Sequence, residues 1–192
     1  MNAAWQAQSL LADPAAAWRR IEQEPDDPVD LLSYYVAPLA LVPVACGFVG
    51  ACVIGVVVPG TGVVRTPIGD GLFGAVFGYV AAFAIVLLVG LLIDVLAPQF
   101  SGRRDFSRAL KLAVYSFTPV WLSGIFLLLP GLRFLELTGC YGVYLLVKGL
   151  PPLMKSAAER SQPYATAVVA FAAVLMWLAA AAQSALFAPA GP

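Results

Sequence analysis

Asp94, Tyr115, Tyr144 and Lys148 carry most of the chemistry open to this chain, and all four stand within or at the very end of long apolar runs. A carboxylate and an ammonium in such surroundings are costly, so each needs a partner or a task. Asp94 lies three residues before the expected end of its run, where a carboxylate meets the negative end of the helix dipole. Lys148 closes another run at a similar depth, with Tyr115 and Tyr144 in the adjoining halves of theirs. Gathered together, the four would line a path for a small solute or a proton, or receive a lipid headgroup. In the alternative they are a charge pair and belt tyrosines that lock helix ends, because lysine snorkels and tyrosine favours that depth. Arg103 or Arg104 is an equal claimant for Asp94.

Other chemistry is thin. The chain has no histidine, which removes the commonest metal ligand and proton shuttle. Cys46, Cys52 and Cys140 fall within the runs without paired spacing and read as small apolar fillers. No nucleophile is spaced with a base, and GTGVV lacks the lysine and the strand context of a phosphate loop. Neither catalytic residues, a metal site nor a cofactor is expected. Zero net charge and the lack of a basic stripe speak against nucleic acid.

The elements that position these residues follow from composition. Hydrophobic residues make up 61% and charged residues 11% of the chain, against about 45–50% and about 25% in soluble domains. Five apolar runs, at residues 31–58, 71–97, 110–129, 132–147 and 164–187, approach or exceed the roughly 20 residues needed to cross a bilayer. Period-two alternation is missing, so the expected fold is an all-α membrane bundle of five spans. Of the 11 cations, only Arg65 and Arg133 fall in one set of alternate connections, leaving nine in the other. That asymmetry predicts a cytoplasmic N-terminus and an outer C-terminus. Residues 1–30 lack the pattern of a cleaved signal, so the first span is expected to act as an uncleaved one.

Residues 1–30 form an arm with one expected short helix, capped by Asp13, opened by Pro14 and ended by Pro25. Trp18 and Ile21 share a face there, directed at the headgroup region or the inner end of the bundle. Pro38 and Pro43 are expected to kink the first span. Gly47, Ala51 and Gly55 form a smooth stripe on it, and Gly74, Gly78 and Ala82 repeat the device on the second. Such stripes predict a close antiparallel pair joined by the turn-rich PGTGVVRTPIGD. Pro130 and Gly131 turn the third span into the fourth, Pro151 and Pro152 end the fourth, and residues 153–162 form a basic inner loop. Glu136 is expected to pair with Arg133 in the first turn of span four. The final APAGP is expected to fray.

From span three onward the chain resembles a known family. AVYSFTPVWLSGIFLLLPGLRFLELTGCYGVYLLVKGLPPLM is similar to the Yip-one family, named for partners of Ypt and Rab GTPases. The shared residues are Tyr115, Ser116 and Pro119, a proline-turned hairpin, then Tyr141, Tyr144, Gly149, Leu150 and Pro151. Upstream, PAAAWRRIEQEP and DLLSYYVAPLAL resemble the family's entry segment, so the likeness runs over roughly residues 14–180. It implies five spans, a cytoplasmic N-terminus and no known catalysis. Eukaryotic relatives are linked to GTPase recruitment, membrane traffic and membrane shaping, and carry Asp-Leu-Tyr-Gly-Pro near the first span. Here Asp30, Leu31, Leu32, Ser33 and Tyr34 stand in its place with Pro38 displaced, so GTPase binding does not transfer. The short, alanine-rich chain looks more like the bacterial branch, which implies the inner membrane.

Two functions follow as expectations. The first is a non-enzymatic scaffold or membrane organiser whose partners are lipids, a second copy or other membrane proteins. The second is a small transporter or channel using the polar cluster, although five spans do not divide into equal inverted halves. A lipid-modifying enzyme would need a catalytic constellation the chain lacks.

Overall fold

In the computed structural model the chain is almost wholly helical; residues 3–25, 27–58, 60 and 62–186 are described. The arm holds two helices rather than the one expected. Helix α1 spans Ala3–Ala12 and α2 spans Pro14–Gln23. Asp13 caps α2 as expected, its Oδ1 accepting from the Ala16 amide at 3.0 Å. The APAGP tail lies outside the described residues.

Helix α3 (Pro28–Ile54) widens to π turns at Leu32–Val36, just before Pro38, and again at Val49–Ile54. It stops at Gly55, whose φ of 85° breaks the helix. Gly55 is thus a terminator and not part of a packing stripe, and the first apolar run ends four residues early as helix. An antiparallel hairpin comes next, β1 (Val56–Val58) with β2 (Gly62–Val64), paired with Val56 opposite Val64. It replaces the loop expected there.

Helix α4 covers Ile68–Leu96 and tightens to a 3-10 turn at Ala97–Phe100. Helix α5 (Phe106–Ser123), capped by the Asp105 carboxylate, also tightens, at Gly124–Leu128. Expected span four divides. Pro130–Cys140 is 3-10 helix, and only Tyr141–Met154 (α6) is α-helix. That helix continues through Pro151 and Pro152, leaving the Val147 and Lys148 carbonyls without their i+4 donors, and ends at Lys155 in the left-handed region. A 3-10 turn, Ala158–Arg160, leads into α7 (Ser161–Leu186).

Among the described residues, four helices are long and apolar enough to cross a membrane: Pro28–Ile54, Ile68–Phe100, Phe106–Leu128 and Ala158–Leu186. Of their most apolar stretches, 72% is buried in α5 but only 11% in α7. So α5 is the central helix, with α3, α4 and α6 packed on it, while α7 leans on α4 and α6. Glycines set the close approaches. A Cβ at Gly142 would overlap the Ser116 carbonyl of α5, and one at Gly90 would stand 3.1 Å from the Leu110 Cα.

Candidate functional site

The four side chains expected to cluster lie in three separate places. Asp94 is paired with Arg104, Nη2 to Oδ2 at 3.2 Å, and its Oδ1 has no hydrogen-bond partner among the described residues. Of the two arginines, Arg104 takes the carboxylate. Lys148 stands over the Tyr144 ring at 5.6 Å, and both lie on the exposed face of α6. Buried residues of α6 recur at Gly142, Leu145, Leu146, Gly149, Leu150 and Leu153, so positions 144 and 148 necessarily face away from the bundle.

Tyr115 is the member that sits in a polar network, most of whose other members come from the arm and from α3. Its hydroxyl donates to Gln6 Oε1 at 3.2 Å, while Gln6 Nε2 donates to both Glu24 carboxylate oxygens at 3.1 Å. One turn earlier on α5, Lys111 is only 3% exposed. Its ammonium donates to the Glu24 carbonyl at 2.7 Å and the Ile21 carbonyl at 3.4 Å. A cation at the last carbonyls of α2 offsets the negative end of that helix. Thr118, one turn later, shares a hydrogen bond of 2.8 Å with the Tyr35 hydroxyl of α3. Lys111, Tyr115 and Thr118 are spaced i, i+4, i+7, a polar stripe on one face of α5.

Aromatic packing completes this joint. Trp18 meets Tyr115 edge-on at 6.2 Å and Tyr35 meets it at 4.7 Å. Gly149 of α6 makes room for Trp18, since a Cβ there would stand 2.8 Å from the indole. Trp18 and Ile21 do share a face, and it is buried in the protein. Lys155 pairs with Glu22 at the rim. With its groups buried, the joint fixes the arm against the bundle.

The small-residue stripes do not face one another. Gly47 meets Leu127, in the last turn of α5, and Ala51 is half-buried. Gly74 meets Gln183 of α7, while Gly78 and Ala82 border a cavity of about 530 Å³. Helices α4 to α7 line most of that cavity, joined by Pro43 of α3 and by Glu136, Gly139 and Cys140 of the 3-10 segment, and its polar residues include Glu136, Ser123 and Gln183. Glu136 borders it without the expected ion pair to Arg133. Cys52 is buried and Cys46 half-buried, but Cys140 is exposed, which departs from the filler reading.

A family model described as the Yip1 domain matches residues 8–180. Two similar relatives are each named "Inner membrane protein YohC", one from Escherichia coli strain K12 and one from strain O6:H1 CFT073. Each is 25% identical over 171 residues, covering 87% of this chain and 88% of the relative. No solved structure matches the chain significantly. The family match embraces the arm from the second half of α1 onward, the α5 side of the joint and most of α7, and on that ground the chain belongs to the Yip1 domain family.

Proposed function

We propose that this protein is a non-enzymatic organiser of an inner membrane, crossing it five times with the N-terminus in the cytoplasm. The observation that carries this reading is where the buried polar side chains go. Gln6, Tyr35, Lys111, Tyr115 and Thr118 bond to one another or to the arm, holding two helices against the end of the bundle. Such a joint presents the outer surface of the arm as a fixed platform. The cavity, by contrast, is apolar in its depth and offers an ion no chain of ligands.

The fifth crossing is Pro130–Met154. Its α-helix of 14 residues is about 21 Å long, and the preceding 3-10 segment of 11 residues adds about 20 Å. The nine cations of the arm end support the cytoplasmic placement, and the two relatives are named inner-membrane proteins. Partners of this scaffold would be lipids, a second copy or other membrane proteins, and the displaced Pro38 argues against a GTPase.

Reconstituted liposomes and side-specific labelling test the proposal. A thiol at Ser107 should react only from the cytoplasmic side and one at Thr66 only from the other, in a cysteine-free background. Liposomes should show no protein-dependent solute or ion flux. Flux that disappears in Asp94→Asn would overturn the scaffold in favour of a transporter, and reversed labelling would overturn the topology.

A further inference from the structure

Helices α4 and α7 run antiparallel and are pinned together near both ends. Gln183 Nε2 donates to the Gly74 carbonyl at 3.4 Å, and the Tyr164 hydroxyl donates to the Ile93 carbonyl. Between the pins many facing residues are small, Gly78, Ala81 and Ala82 on α4 and Ala172, Ala173 and Ala180 on α7, interspersed with Phe77, Ile85, Val169 and Met176. A Cβ on Gly78 would meet nothing within 4 Å. Behind this gap lies the 530 Å³ cavity, walled at the back by α5 and α6. Met176 lines it and is 43% exposed, so the cavity opens to the surface of the bundle.

Polarity changes along its length. Glu136, Ser123 and Gln183 collect at the end away from the arm, while Val89, Ala113 and Leu146 line the depth. Between them Ser116, only 7% exposed, borders the cavity with a buried hydroxyl that has no hydrogen-bond partner among the described residues. Arg133 and Glu136 stand one 3-10 turn apart, on the same side, and form no ion pair with each other. A guanidinium and a carboxylate so placed complement a phosphate and an ammonium held close together.

We propose that the slot between α4 and α7 binds one acyl chain of a phospholipid with an amine headgroup. The ammonium lies at Glu136, the phosphate at Arg133, and the chain runs past Gly78 toward Val89. Ser116 lies two turns of α5 below Ser123, about 10 Å, at the depth of the acyl chain and not of the headgroup. A helix of a second copy, about 10–12 Å across, does not enter between two helices pinned at both ends. An extended peptide would carry unpaired amides into hydrocarbon. This inference needs the helices to cross a bilayer but does not depend on the scaffold role.

The test uses the full chain in nanodiscs containing phosphatidylethanolamine with a photoreactive diazirine on one acyl chain. Labelled residues are mapped by mass spectrometry. Label should fall on residues around Gly78, Ala173 and Met176, and Gly78→Trp should lower it about tenfold by filling the volume. Val80→Trp, on the outer face of α4, should leave it unchanged. Ala173→Leu gives a gentler plug should the first variant not fold, and should still lower the label severalfold. Arg133→Gln with Glu136→Gln should keep the label in place but abolish preference for phosphatidylethanolamine over phosphatidylglycerol. Equal labelling in both tryptophan variants, label spread over outer faces, or crosslinks to a second copy between α4 and α7 would overturn the site. Wild-type labelling indifferent to headgroup would overturn the amine assignment.

Discussion

The joint between arm and bundle and the slot between α4 and α7 use the same residue types to opposite ends. At the joint, Gly149 removes a side chain so that Trp18 fits against α6. In the slot, Gly78 removes one and nothing fills the space. At the joint, Tyr115 bonds across to Gln6 although the neighbouring Trp18 indole N–H finds no partner among the described residues, while Ser116, the next residue on α5, has its unbonded hydroxyl on the side of the cavity. Neighbouring positions on the central helix thus face a closed region and an open one. Hydrogen bonds and aromatic packing are concentrated where the arm docks, and spare volume lies between α4 and α7.

If that contrast is right, the largest loss comes from emptying the joint. Trp18→Ala should destabilise the protein by about 3–5 kcal/mol, seen as a lower unfolding temperature in detergent. Lys111→Met should cost about 1–3 kcal/mol, because two carbonyls of α2 and its C-terminal turn lose their buried donor. It should also free the arm for proteolysis at Arg19 and Arg20. Gly149→Ala forces the indole aside and should cost about 1–3 kcal/mol. Gly78→Ala, the matched change in the slot, should be neutral or stabilise by up to about 1 kcal/mol, because alanine is the better helix former and its Cβ meets nothing. Equal effects of the two alanine changes would erase the distinction between the regions.

Long apolar runs make most helices legible, and the Asp13 cap and Pro14 place α2. Hydropathy puts the end of α3 too late because Val56–Val58 is as apolar as the helix before it. Two valine runs around PGTG are a hairpin signal that hydropathy alone conceals. The fourth span reads as one helix because Leu-rich 3-10 and α-helix share a composition, while helix pairing depends on which glycine meets which neighbour. In the site, Asp94 and Lys148 draw attention by charge, yet charge does not reveal that α6 turns Lys148 outward. Lys111 reads as one more cation of a connecting segment, although its spacing with Tyr115 and Thr118 is visible on α5. Gln6, Glu24 and Tyr35 are not legible, since only docking of the arm brings them there.

Hydrogen exchange of the intact protein in nanodiscs tests the docked arm most directly. Amides of Pro14–Gln23 should exchange far more slowly than in a free peptide, and Lys111→Met should release them while leaving Phe106–Ser123 protected. An arm that exchanges at free-peptide rates in the wild-type protein, beside a protected bundle, would contradict the account.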